Sequence, residues 1–432
     1  MGAPVKAELY GLTELGTLIG TLIVVLVSMM RGKSPGMPPP LATRPAGLCK
    51  AQSSPSGVRD SGPTKRSSMT PINRSLLRRG VALCGLLTWS AGLLIGAPAQ
   101  AELYSLTTPG TFGRPNSVAY GINHAGQVVG YAATADNTMT QGFVYSDGTM
   151  TSLGALGGTT STAYGINKAG QVVGLAYTAN NVMQHAFLYS NGTMTDLGTL
   201  GGSNSIAYGI NKAGQVVGGA STTDDAATQA FLYSNGAMTG LGTLGGSNSI
   251  AYGINAAGQV VGNAGSQAFL YSNGTMTSLG SLGGNFSSAT GINKAGHIVG
   301  YSNTTNDLAR LAFLYKNGTM TSLGTILGGT SSTANGINDA GQVVGYATMT
   351  SGGLDHAFLY SKGSMMDLNS MLDASGTGWT LTQATAINNK GQIVGFGIDP
   401  LGHMDAFVLT PVPHHETDEA GHRNCENCVA LD

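Results

Sequence analysis

The chain has 432 residues, of which 20 are Lys or Arg, 21 are Asp or Glu, 67 are Gly and only 9% are charged, well below the ~25% of an average soluble domain. A hydrophobic fraction of 41% excludes a disordered chain, and glycine without a three-residue period excludes collagen. Residues 1–101 hold 11 basic and 3 acidic side chains, so the rest of the chain is acidic and lacks the cationic footprint that a nucleic-acid partner requires.

Residues 1–68 contain an apolar stretch from Leu15 to Met30 and a Pro-, Ser- and Arg-rich segment from Gly32 to Ser68. The apolar stretch is short of the ~20 residues a spanning helix needs, so this part reads as a disordered or mispredicted extension, with an apolar anchor as its alternative. Residues 69–101 read as a secretory signal peptide. Arg74, Arg78 and Arg79 open it, Val81 to Ile95 is apolar, and Ala99-Gln100-Ala101 is an A-x-A cleavage site. The mature chain then starts at Glu102, has no membrane span, and is secreted, periplasmic or at the cell surface. Cys49 and Cys84 precede the cleavage site and the repeat region has no cysteine, which agrees with export.

Internal repetition decides the architecture. Gly-Ile-Asn-x-x-Gly-x-[Val/Ile]-Val-Gly begins at Gly121, Gly165, Gly209, Gly253, Gly291 and Gly336, with a degenerate copy at Ala386-Ile387-Asn388, at intervals of 38 to 50 residues. Between copies runs a second phrase, Ala-Phe-Leu-Tyr-Ser-Asn-Gly-Thr-Met-Thr-x-Leu-Gly, as at Ala186 to Gly198. Each unit reads as four short strands, a to d. In one unit, Ser205 to Ile210 and Gln215 to Gly218 flank a Gly-bearing turn, and Phe231 to Tyr233 and Ala237 to Thr239 flank Asn235-Gly236, a type I′ hairpin signal.

Four strands in such a unit is the size of a propeller blade. Strand c occurs seven times, but no strand d follows Phe407, whereas Leu103 to Leu106 precede the first strand a. The expected fold is therefore an all-β, seven-bladed β-propeller spanning 102–412, its last blade completed by the N-terminal strand of the mature chain. These motifs resemble the bacterial extracellular repeat proteins of the HAF family, named for the tripeptide at His185-Ala186-Phe187 and His356-Ala357-Phe358. The resemblance implies secretion and a repeat fold and supplies no reaction. Gln229, Gln267, Leu311 or Asp405 stands in place of that His elsewhere, so it is not a shared catalytic residue.

Departures from the repeat are where chemistry would sit. They are His297 in place of a Gln, Asp224-Asp225, Asp307 with Arg310, and the insertion Leu368 to Leu381 with Trp379. None forms a catalytic constellation, and His297 reads as a strand side chain. Residues 413–432 read as a disordered tail in which His415, His422, Cys425 and Cys428 could hold Zn²⁺, a disulfide being the alternative. No other cofactor is implied. The a-to-b and c-to-d turns should leave one face of the disc and the variable b-to-c loops and d-to-a crossings the other. Variable loops on a constant scaffold carry binding, so Ser203, Asn204, Ser247 and Asn248, on crossings that reach the central channel, and Asp224, Asp225, Asp307 and Arg310, in b-to-c loops, are the expected ligand contacts. The functional expectation is a monomeric, non-enzymatic, exported binder of an extracellular glycan or protein. The alternatives are a secreted hydrolase or lyase, in which those acids act, and a structural envelope protein.

Overall fold

The structure, a computed structural model, describes residues 103–135, 139–326, 328–349 and 354–413. The expected signal peptide, the extension before it, the cleavage site and the His/Cys tail all lie outside the described residues.

Seven four-stranded antiparallel sheets form the blades of a propeller. Blade 3 shows the pattern: strand a is Gly201–Ile210, b is Val216–Thr222, c is Thr228–Ser234 and d is Ala237–Gly240. Strand a is innermost, and the strands a of neighbouring blades touch all the way round, the last against the first. The seventh blade takes its outer strand from Tyr104–Thr107, which pairs antiparallel with Met404–Pro411 in the register Tyr104 to Pro411 through Thr107 to Val408.

Side chains alternate between the two faces of a strand, and this explains the repeated dipeptides. Val216 packs into the interface towards blade 2 and Val217 into the interface towards blade 4. Phe231 and Ala230 divide in the same way, with the ring behind and the methyl ahead. All seven phenylalanines of strand c are fully buried, and each such ring is worth about 3–5 kcal/mol against alanine. The c-to-d hairpins have positive φ at both central residues, as at Asn235 (52°) and Gly236 (80°), which is the type I′ turn.

Strand a is longer than its sequence phrase in four blades. In blades 2, 3 and 5 an acceptor on the b-to-c loop seizes the start of the strand: Asn181 takes the Thr159 N–H, Asp225 that of Ser203 and Asp307 that of Asn285, at 2.8–2.9 Å. Blade 4 has only a short b-to-c connection, and there strand a begins at Ser249. The crossing and the loop therefore fold as one piece.

The insertion Leu368 to Leu381 serves closure. Asp373 donates its N–H to Tyr104 O at 3.0 Å, Leu106 donates to Ser375 Oγ at 2.6 Å, and Asn369 exchanges both hydrogen bonds with Leu381. Leu368, Met371 and Leu381 bury the closing strand's Tyr104 and Leu106, with Trp379 packed alongside.

Candidate functional site

At the a-to-b turns the constant residues are used up by the ring itself. Asn211 Oδ1 accepts from the N–H groups of Ala213 and Gln215, while its Nδ2 donates to Gln215 Oε1 and to Asn255 O in the next blade. The interblade donation repeats through Asn123, Asn167, Asn211, Asn255, Asn293, Asn338 and Asn388, and returns from Asn388 to Asn123 O, at 3.0–3.2 Å throughout. Seven buried amides thus form a closed circuit. His297 contributes its backbone N–H to Asn293 Oδ1, as the Gln residues do in the other turns.

The His of the tripeptide also has a partner within its blade. His185 Nδ1 lies 2.7 Å from Asp196 Oδ2 and His356 Nδ1 2.8 Å from Asp367 Oδ2, each pair joining strands c and d. In blade 1 Gln141 and Ser152 do the same job, at 2.6 Å. Asp405 occupies the position in blade 7 and accepts from Asn116 N–H and Ser117 Oγ of blade 1, with its carboxyl pushed up by burial.

The eight residues expected to bind ligand lie on or beside the loop face, but they do not converge. Ser203 gives both its N–H and its hydroxyl to Asp225, and these bonds hold that carboxyl below the usual range. Asp307 is held low in the same way by Asn285 N–H first and Asn303 second. Asn204 and Asn248 accept from Gln184 N–H and Thr228 N–H of the preceding blades, and Ser247 Oγ accepts from Asn248. Asp224 is exposed at a left-handed position. Arg310 is the first residue of strand c in blade 5, and it lies 5.1 Å over the Tyr301 ring instead of pairing with Asp307. None of the eight lines the channel cavity, although the crossing of blade 3 is the start of its innermost strand. They meet the inner strand at its start and stay at the loops.

Two features are not legible in the sequence. The first is on the loop face. Among the described residues the exposed large apolar side chains are Val182, Met183, Leu308, Leu354 and Leu401, together with Leu103 beside the closing strand. The first five all belong to b-to-c loops, in blades 2, 5, 6 and 7.

The second is in the channel. In blade 3, Ala207 pairs with Gly218 and Gly209 with Val217, so Tyr208 is the extra residue of a β-bulge. The same shift occurs in every blade, at Tyr120, Tyr164, Tyr208, Tyr252, Thr290, Asn335 and Thr385. The four tyrosines follow one another round the axis with ring centroids 4.9, 5.2 and 5.1 Å apart. Burial first, and the neighbouring phenols second, push Tyr120 and Tyr252 up to about 12 and raise Tyr164 as well; burial raises Tyr208. Tyr120, Tyr164, Asn335 and Thr385, with the Gly-Ile pairs of the inner strands, line a cavity of about 220 Å³. No ionisable acid or base other than phenol lines it. Among the described residues no group of three or more His, Cys, Asp or Glu is placed to hold a metal, and no helix is long and apolar enough to cross a membrane.

No family model matches the chain, and no curated protein matches it. Several solved propellers are similar in fold. The β-propeller domain of the Trilobed protease from Pyrococcus furiosus matches at a TM-score of 0.42 and 7% identity, over 74% of this chain and 98% of that one. TolB from Acinetobacter baumannii matches at 0.37 and 13%, over 79% and 71%. The Aleuria aurantia lectin in complex with Fucα1-6GlcNAc matches at 0.31 and 12%, over 72% and 100%.

Proposed function

We propose that the chain is an exported, non-enzymatic binding propeller of the HAF-repeat kind, which holds an extracellular or envelope partner on its loop face. The observation that carries this reading is the placement of exposed apolar side chains. Val182, Met183, Leu308, Leu354 and Leu401 stand on b-to-c loops of one face, the loops that vary on a constant scaffold and so carry binding. The loops that carry Val182 and Met183, Leu308, and Leu401 are tied down by Asn181, Asp307 and Asp399 respectively, so little ordering is left to offset on binding. Such tips favour a protein partner over a glycan, because they offer apolar contact where a glycan needs hydrogen-bonding groups. On the opposite face the repeated turns are engaged in the amide circuit and have a structural role that explains their constancy.

The test is capture of envelope proteins and glycans by the full chain, with and without Ca²⁺, beside the double variant Leu308→Asp/Leu401→Asp. Burying a charge at a hot spot costs roughly 2 kcal/mol or more, so the variant should bind at least about tenfold more weakly at an unchanged melting temperature. Equal binding by the variant refutes the loop face.

A further inference from the structure

The bulge positions divide the ring of inner strands into two unlike arcs. Three of the seven are small and polar, and they spend their polar atoms on the ring: Thr290 Oγ1 donates to Ala334 O at 2.7 Å, Asn335 Nδ2 to Ala384 O at 2.8 Å, and Thr385 Oγ1 to Ala119 O at 2.8 Å. Each of these ties one inner strand to the next. The other four are the consecutive tyrosines, whose hydroxyls make no such tie among the described residues. Blades 5 to 7 close without an aromatic at this position, so ring geometry does not require one in blades 1 to 4.

The arc continues at both ends. Tyr131 lies 6.1 Å from Tyr120, Tyr301 is near enough to Tyr252 to raise it, and Phe286 stacks on Tyr301 at 5.8 Å. Neighbouring rings are tilted by 47° to 54° and lie against one another. Packed on one another in this way, they do not form the cage of open faces that a quaternary ammonium needs. The phenols stay protonated across the physiological range, so each is both donor and acceptor. No Asp, Glu, Lys, Arg or His lines the cavity, and its floor is made of Gly-Ile pairs. A site of this kind rejects ions and suits a molecule with an apolar body and several hydroxyls. Its volume, about 220 Å³, is below the ~300 Å³ at which pockets for drug-sized ligands begin, which limits the occupant to something the size of one sugar ring.

We propose that the central channel is a second binding site, separate from the loop face, for one ring of an uncharged carbohydrate held by the phenols of Tyr120 and Tyr164, the two tyrosines that line the cavity. Titration calorimetry of the full chain with glucose, galactose, mannose and N-acetylglucosamine, beside glucuronate and choline, tests it. At least one neutral sugar should bind with a Kd of roughly 1 mM or tighter, with glucuronate and choline weaker. Tyr120→Phe/Tyr164→Phe keeps the rings and removes two hydroxyls, and should weaken binding about tenfold. Should that variant fold poorly, Tyr164→Thr installs the residue that blades 5 and 7 already use. The Leu308→Asp/Leu401→Asp protein should keep its sugar affinity. Absence of binding by every neutral sugar, preference for choline, or sugar binding that the tyrosine variants leave untouched each overturns the proposal, and none of these outcomes touches the loop-face reading.

Discussion

The phenols of Tyr120 and Tyr252 ionise near pH 12 in the folded chain and near their ordinary 10.0 once exposed. Between those values the unfolded state binds fewer protons, so stability falls as pH rises. Below pH 10 both states are protonated and the contribution is complete. Melting temperatures should therefore decline from about pH 10 upward, and Tyr120→Phe/Tyr252→Phe should decline less steeply. Identical slopes for the two proteins would show that the arc is not the cause. At this scale the sequence was a partial guide. Asn211 was legible as a turn residue because Asn-x-x-Gly favours one, but its donation to Asn255 O depends on where the next blade stands. Tyr208 reads as an ordinary strand position, because Ala-Tyr-Gly-Ile-Asn carries no local mark of the bulge.

That bulge imposes a demand on the neighbouring strand. Gly218 of strand b lies directly beneath it, and a Cβ there would run into the carbonyl oxygen of Ile206. The same glycine recurs in every copy of the Val-Val-Gly phrase, from Gly130 to Gly395, each beneath the corresponding inner strand. Gly218→Ala should cost about 3 kcal/mol or more, since neither backbone has room to retreat. Gly219→Ala next to it should cost under ~1 kcal/mol, because blade 2 carries Leu175 at that place and the nearest atoms belong to side chains. Denaturant midpoints of the two variants decide the matter, and a mild Gly218→Ala would mean that the inner strand can relax. The elements themselves were readable from turns and alternation. The extra length of strand a was not, since Gly201 to Asn204 become a strand only when Asp225, on a distant loop, takes the Ser203 N–H.

For the whole molecule, counting strands in the sequence was enough to foresee closure by Leu103 to Leu106, and the described strand is Tyr104–Thr107. The purpose of the insertion was not foreseeable, because Ser375 and Asp373 find their partners at the other end of the chain. Deleting residues 104–107 strips the seventh blade of Tyr104 and Leu106, both buried, and a loss of several kcal/mol follows from the large-to-small scale of buried side chains. Thermal unfolding should shift down and broaden, and an unchanged transition would mean that blade 7 stands without its outer strand.

The seam has a consequence in time. Ser105 Oγ donates to Thr410 O across 305 positions of sequence, so the earliest strand of the disc must wait for the latest. Each earlier blade is a set of adjacent hairpins that forms as soon as its own residues emerge, with little loop to close. Until strand c of the seventh blade arrives, the first strand has no partner and the growing disc shows an open edge, the kind that recruits strands from other chains. The slow and hazardous interval in the life of this protein is therefore its last step of assembly, and a factor that guards the segment around Tyr104 during that interval would raise yield without altering the finished molecule.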